Sequence, residues 1–261
     1  MQEQDGKGLW GWLKRLFSGD DGSEKGRASA DEVSRQYEWD LDAGGKRRLH
    51  GELTLTFSKE DVAELRRRNP FRSYGIDQRS YERNIHDMFG FLLSKPRYMK
   101  NVQIVAEYIR MRIERARYSE FDMVQFALDF VQAPNITYRV DEECASIGHI
   151  AEYMRFPDET LYDKEGDCDC KSFLMAALFH ELGYHVLVLI SRELGHAAIG
   201  IACENNWLGQ IARKEMRQVL LKYNGRRYLF CETTADGFKV GEIQRTTSIR
   251  DFESVVEIAA K

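Results

Sequence analysis

What most restricts how this 261-residue chain can fold is a change of hydrophobic period near residue 160. Upstream, between residues 80 and 131, apolar residues recur at helical spacing in three pieces. Ile85, Met88, Phe89 and Leu92 form the first, which Pro96 ends. Val102, Val105, Ile109 and Ile113 form the second, and Val124, Ala127, Leu128 and Val131 the third. Downstream, one further helix from Cys168 to Leu182 precedes three strand-like runs, Tyr184–Ser191, His196–Cys203 and Arg227–Thr233. Asp167 is placed to cap that helix and Gly183 to close it. The connection between the last two strands is long and carries a helical pattern over Ile211–Leu221. Helices first and strands afterwards predict an α+β domain with an antiparallel sheet.

Ahead of this region, Tyr37–Leu41 and Arg48–Phe57 read as strands of a hairpin turning at Ala43-Gly44-Gly45-Lys46. Ser58 and Asp61 fit a capping box, opening a helix that ends at Arg66–Arg68 before Pro70. Those arginines suit the negative end of a helix dipole. Nearer the start, Leu9–Phe17 is a short Trp-rich amphipathic helix, and Ser18–Glu32 is a polar linker. The helix is expected to lie on a membrane surface or in a partner's groove, or else to fold back on its own domain.

Charge and composition exclude several classes. The net charge of −4, with both signs mixed throughout, lacks the basic face a nucleic-acid binder needs. No apolar run approaches the ~18 residues of a membrane span. Leu9–Phe17 is broken by Gly11, Lys14 and Arg15 and does not read as a secretory signal. Five sparse cysteines make no disulfide framework, so reduced thiols in the cytoplasm are expected, with peripheral membrane attachment one of the options open to residues 9–17. The sequon-like Asn135-Ile136-Thr137 carries little weight in that setting.

The strongest chemical signal is Gly166-Asp167-Cys168-Asp169-Cys170. A cysteine in the first turn of a helix faces free N–H groups and the positive dipole end, both of which favour a thiolate. The same amides can hold an oxyanion. His196 opens one strand and Glu232 closes another, plausible places for a base and the acid that orients it. Cys168-x-Cys170 with Cys144, Cys203 or His149 makes a poor zinc site, because no CxxC or HxxxH pair is present. No acidic loop has EF-hand spacing.

These residues, in this order, resemble the transglutaminase-like superfamily in its compact bacterial and archaeal branch. The pattern runs through residues 121–243, about half the chain. It takes in Phe130-Val131-Gln132 followed by Tyr138, then Phe156-Pro157-Asp158-Glu159-Thr160-Leu161. The Gly166–Tyr184 run, Gly195-His196-Ala197-Ala198-Ile199-Gly200 and Cys231–Glu242 complete it. The resemblance implies a papain-like core with a nucleophile helix on an antiparallel sheet, with Cys168 as nucleophile, His196 as general acid/base and Glu232 as orienting acid. Relatives more often carry an acidic residue at the place of Cys170 and Asp at the place of Glu232. Gln132 is a candidate second oxyanion donor.

The expected organisation is a Trp-rich helix at 1–17, a linker at 18–34, a hairpin and helical region at 35–118 and a transglutaminase-like catalytic domain at 119–261. The expected activity is thiol-dependent hydrolysis of peptide or isopeptide bonds in a protein or peptide substrate, with no cofactor and no metal. The alternatives are isopeptide formation by a transglutaminase and a catalytically idle protein-interaction module.

Overall fold

The computed structural model describes residues 31–41, 48–72, 78–132, 134–143, 152–203, 207, 217–218, 220–243 and 248–261. The expected Trp-rich helix at 9–17 and the Ala43–Lys46 turn lie outside these residues. Strand β1 (Glu32–Leu41) pairs antiparallel with β2 (Leu49–Ser58), so the strand begins inside the stretch expected to be linker. Alternate residues Tyr37, Trp39 and Leu41, and Leu49, Leu53, Leu55 and Phe57, are buried, the pattern of a hairpin with one covered face. Trp39 lies opposite Gly51, where a Cβ would come within 2.7 Å of the indole; only glycine leaves room for it.

Four helices follow: α1 (Lys59–Arg68), α2 (Gln78–Ser94), α3 (Lys100–Ala116) and α4 (Glu120–Gln132). Ser58 caps α1 by accepting the Asp61 N–H at 3.2 Å, as the spacing predicts. The hairpin's inner face packs on α3 and α4. Trp39 stacks on Phe126 at 4.9 Å, and its Nε1 donates to the Phe126 carbonyl at 3.0 Å. A buried indole with its N–H satisfied is a strong fastener between layers.

Short β3 (Thr137–Tyr138), helix α5 (Pro157–Asp163) and β4 (Glu165–Gly166) lead into α6 (Cys168–Glu181). All fourteen residues of α6 are buried. The helix is enclosed by α3, α4 and α5 on one side and by strands β5 (Val186–Ser191) and β6 (His196–Ala202) on the other. A helix covered on every side has no need of amphipathic patterning.

The remaining strands are β7 (Arg217–Gln218), β8 (Leu220–Tyr223), β9 (Arg226–Cys231), β10 (Glu242–Ile243) and β11 (Ser254–Ile258). Strands β5, β6, β8, β9 and β11 form one antiparallel sheet in the order β11-β5-β6-β9-β8. The fold is α+β. The helix expected over Ile211–Leu221 is corrected in its second part: Arg217–Gln218 and Leu220–Tyr223 are strands, while residues 211–216 are outside the described set. Leu221 alternates with its neighbours in burial because it pairs with Tyr228 across a sheet, and pairing overrides local periodicity. Sheet residues Leu187, Leu189, Tyr228 and Phe230 make a second, smaller cluster with Ile243 and Phe252, away from the main core. Among the described residues no helix is long and apolar enough to cross a membrane.

Candidate active site

Cys168 is the first residue of α6, and Asp167 caps the helix, its Oδ1 accepting the Cys170 N–H at 3.3 Å. Gly166 is required by packing: a Cβ there would lie 2.6 Å from the Cβ of Cys170. Opposite the helix start, Ile199 of β6 pairs with Cys231 of β9, so His196 and Glu232 emerge at the same end of the sheet. Ser172 and Thr233 share a hydrogen bond at 3.1 Å, fastening α6 to the strand end that carries Glu232.

The sequence-predicted residues come together. His196 Nε2 and Glu232 Oε2 are 2.9 Å apart, and Cys168 and His196 line one cavity of about 380 Å³. The cavity wall also includes Tyr81, Glu152, Asp167, Asp169 and Arg192. The Cys168 thiol is 9% exposed and donates to the Gly195 carbonyl at 3.8 Å, the residue just before His196.

Glu232 is held from several directions. Its Oε1 accepts the Thr234 N–H at 2.9 Å and the Thr234 hydroxyl at 2.6 Å. Burial disfavours its charge, but the His196 contact and the two Thr234 bonds together outweigh that and hold the carboxyl below its ordinary range. An ionised carboxylate only accepts, so Nε2 of His196 carries the hydrogen toward Glu232, and Nδ1 is the ring nitrogen not engaged by the acid. Gln132 is not available as an oxyanion donor. Its Nε2 donates to the backbone carbonyls of Glu232 at 2.6 Å and Phe238 at 3.2 Å, which makes it a support for the acid's position.

The expected lowering of the Cys168 thiol by the helix end does not occur in the resting site. Burial pushes the thiol well above its usual range, and the carboxyls of Asp169 and Asp167 add to it, while the N–H groups of Ala197 and Asp169 oppose it. Desolvation of a charge outweighs a dipole of half a charge. Asp167 is itself pushed well up by burial and by the neighbouring Asp169, whose Oδ2 accepts the Tyr81 hydroxyl at 2.8 Å.

Cys170, two residues on, belongs to a different network. Its Sγ accepts the Arg155 N–H at 3.2 Å and faces Arg155 Nη1 at 3.5 Å, and it donates to the Tyr153 carbonyl at 3.4 Å. Arg155 is fully buried and pairs with Asp141 at 3.2 Å, Asp163 at 3.4 Å and Glu165 at 3.7 Å. Asp141, Asp167 and Cys170 have ligand atoms within 4.8 Å of one another, near enough to share a cation. The Arg155 guanidinium already brings positive charge to Asp141 and Cys170. Nothing in the sequence pointed to Arg155, because its carboxylate partners lie eight to fourteen residues away on both sides of it and only the fold gathers them.

No protein-family model matches the chain, and no curated protein matches it. The chain is similar to a crystal structure of a TGase, at 16% sequence identity and a TM-score of 0.29, over 80% of this chain. It spans 47% of that protein's length. An alignment that loose specifies no shared site.

Proposed function

We propose that this chain is a transglutaminase-like thiol acyl-transfer enzyme that hydrolyses peptide or isopeptide bonds through Cys168, His196 and Glu232. The observation that carries this is the His196–Glu232 contact of 2.9 Å on the wall of the cavity that Cys168 also lines. It leaves Nδ1 of His196 as the nitrogen for proton transfer, with Glu232 holding the ring and offsetting the charge it gains.

In the first step Nδ1 takes the Cys168 proton. The thiolate then faces an imidazolium, whose attraction opposes Asp167 and Asp169, so the thiol raised at rest is activated as a pair, and its Sγ attacks the carbonyl carbon. Collapse of the tetrahedral intermediate expels the amine, which takes its proton from His196 and leaves a thioester on Cys168. Water activated by His196 hydrolyses it. In this reading residues 119–261 carry the chemistry, residues 35–118 back the nucleophile helix, and the substrate is a protein or peptide. Residues 9–17 dock on a membrane surface or a partner.

Iodoacetamide alkylation from pH 5 to 9, read by peptide mass spectrometry on wild type and His196→Ala, tests this. Cys168 is expected to label ahead of the other cysteines near neutral pH and to lose that lead in the variant. Labelling of Cys168 no faster than the rest would shift the case to an idle interaction module.

A further inference from the structure

Three carboxyls stand in the wall of the cavity that Cys168 and His196 share: Glu152, Asp167 and Asp169. Arg192 is the guanidinium of that wall, and it is exposed. Asp167 is committed to the helix, its Oδ1 accepting the Cys170 N–H at 3.3 Å. Asp169 is different. It is 3% exposed, its Oδ2 accepts the Tyr81 hydroxyl at 2.8 Å, and its Oδ1 has no hydrogen-bond partner among the described residues. A buried carboxylate oxygen left unmatched is costly, and a donor on a bound molecule removes that cost.

The acceptor is held in place before anything binds. Tyr81 of α2 is buried and packs edge-on against Phe71 at 4.9 Å, so the carboxylate it grips is not free to turn toward another donor. A preorganised acceptor spends little on ordering when its ligand arrives. The cavity of about 380 Å³ is at the small end for ligand sites, room for a residue or two of a peptide.

The wall is also crowded with like charge. Desolvation and then the charge of Asp169 raise the Glu152 carboxyl to about 7, with Arg192 and the Tyr81 phenol pulling the other way. After burial, the same Asp169 charge raises Asp167 and the Cys168 thiol. A cation set against Asp169 relieves all three groups at once. A metal ion is not what these carboxyls are spaced for. The ligand atoms near enough to share one belong to Asp141, Asp167 and Cys170, a group that takes in neither Asp169 nor Glu152.

We propose that this wall is a subsite for a basic side chain of the substrate, an ammonium or guanidinium that donates to Asp169 Oδ1 and pairs with Glu152. The substrate class is then a peptide carrying lysine or arginine beside the bond that Cys168 attacks. The bound group keeps its proton and takes no part in bond making; it is neither the attacking nor the leaving amine. Its charge offsets that of Asp169, so the matching substrate also favours the Cys168 thiolate. The inference rests on the Cys168–His196–Glu232 reading for what is cut, and on the cavity wall for what is bound.

A matched pair of thiol reagents tests this on the full chain, read at Cys168 by peptide mass spectrometry. Aminoethyl methanethiosulfonate carries an ammonium, and hydroxyethyl methanethiosulfonate is its neutral counterpart. Both convert the thiol to a mixed disulfide with loss of methanesulfinate. The ratio of their rates, divided by the same ratio for N-acetylcysteinamide, is expected to be about tenfold or more, the order by which a cleft of one charge concentrates its counter-ion. Asp169→Asn and Glu152→Gln are each expected to lower that ratio by about threefold or more. Glu152→Gln leaves the Tyr81–Asp169 bond in place, so it decides the matter if Asp169→Asn disturbs the fold. A normalised ratio near one in wild type overturns the proposal, as does a ratio that neither variant lowers. Iodoacetamide tells the two readings apart. A Cys168 that leads the other cysteines with iodoacetamide but shows no charge preference sinks the subsite alone. A charge preference without that lead sinks the acyl-transfer reading and leaves the cation site standing.

Discussion

Cys168 and Cys170 stand two residues apart in the first turn of α6 and meet opposite surroundings. Two residues turn a helix through roughly 200°, so one thiol faces the cavity with His196 and the other faces Arg155 and Tyr153. Burial raises both thiols. What separates them is what each sulfur faces: Cys168 shares a cavity with the imidazole that Glu232 holds, while Cys170 is enclosed by Arg155 and Tyr153. The sequence neighbourhood is shared, and the chemistry open to each sulfur is set by what the fold brings against it.

The sharpest break of this comparison is functional. Cys168→Ala is expected to lower acyl-transfer activity by on the order of a thousandfold or more, with His196→Ala close behind, while both variants keep the wild-type far-UV spectrum. Turnover of a peptide or ester substrate by Cys168→Ala at the wild-type rate would end the assignment.

On the Cys170 side the expected damage is to the fold. Arg155→Met leaves Asp141, Asp163 and Glu165 without their shared cation, at a cost of about 3–5 kcal/mol, read as a shift in the denaturant midpoint. A midpoint within error of wild type would mean those carboxyls are satisfied without it.

Cys170→Ala is milder. It removes a small buried sulfur and its hydrogen bonds, for about 1–2 kcal/mol of stability, and is expected to retain at least half of the activity. An activity loss as deep as that of Cys168→Ala would show that the two cysteines work together.

The smallest effect concerns a buried acid behind the site. Burial raises Asp158 from 3.8 to about 7, with Asn101 and neighbouring groups modulating it. Between those values the folded chain binds more proton than the unfolded one, so this carboxyl's contribution to stability falls as pH rises and levels off above about 7. Asp158→Asn removes that slope. Its melting temperature is expected to gain about 2–4 °C on wild type between pH 5 and pH 8, measured by calorimetry. A constant difference across that range would place the titration elsewhere.

How much of this was legible before the fold varies by segment. The hairpin strands, the Ser58 cap and the helices ending before Pro70, Pro96 and Gly183 follow local rules, and each appears close to where those rules put it. The Leu220–Tyr223 strand did not, since its partner β9 decides its state. Strand β11 was missed altogether: a short run near the chain's end carries little periodicity, and only pairing with β5 makes it a strand. Arg155 and Asp141 were silent because a buried ion network is a long-range object. Gln132 was noticed as a candidate oxyanion donor, and only geometry shows where its amide's hydrogens go.

By itself, then, the sequence determined the α+β order of elements, the helix that begins at Cys168, and the residue types at 168, 196 and 232. Those are matters of local periodicity, capping and spacing, which neighbouring residues settle among themselves. The tertiary structure decided that Nε2 of His196 meets Glu232, that Gln132 braces the acid, that the Cys168 thiol is raised rather than lowered, and that Cys170 lies with Arg155. Each depends on desolvation and on groups distant in the chain, and both exist only once the core has closed around α6.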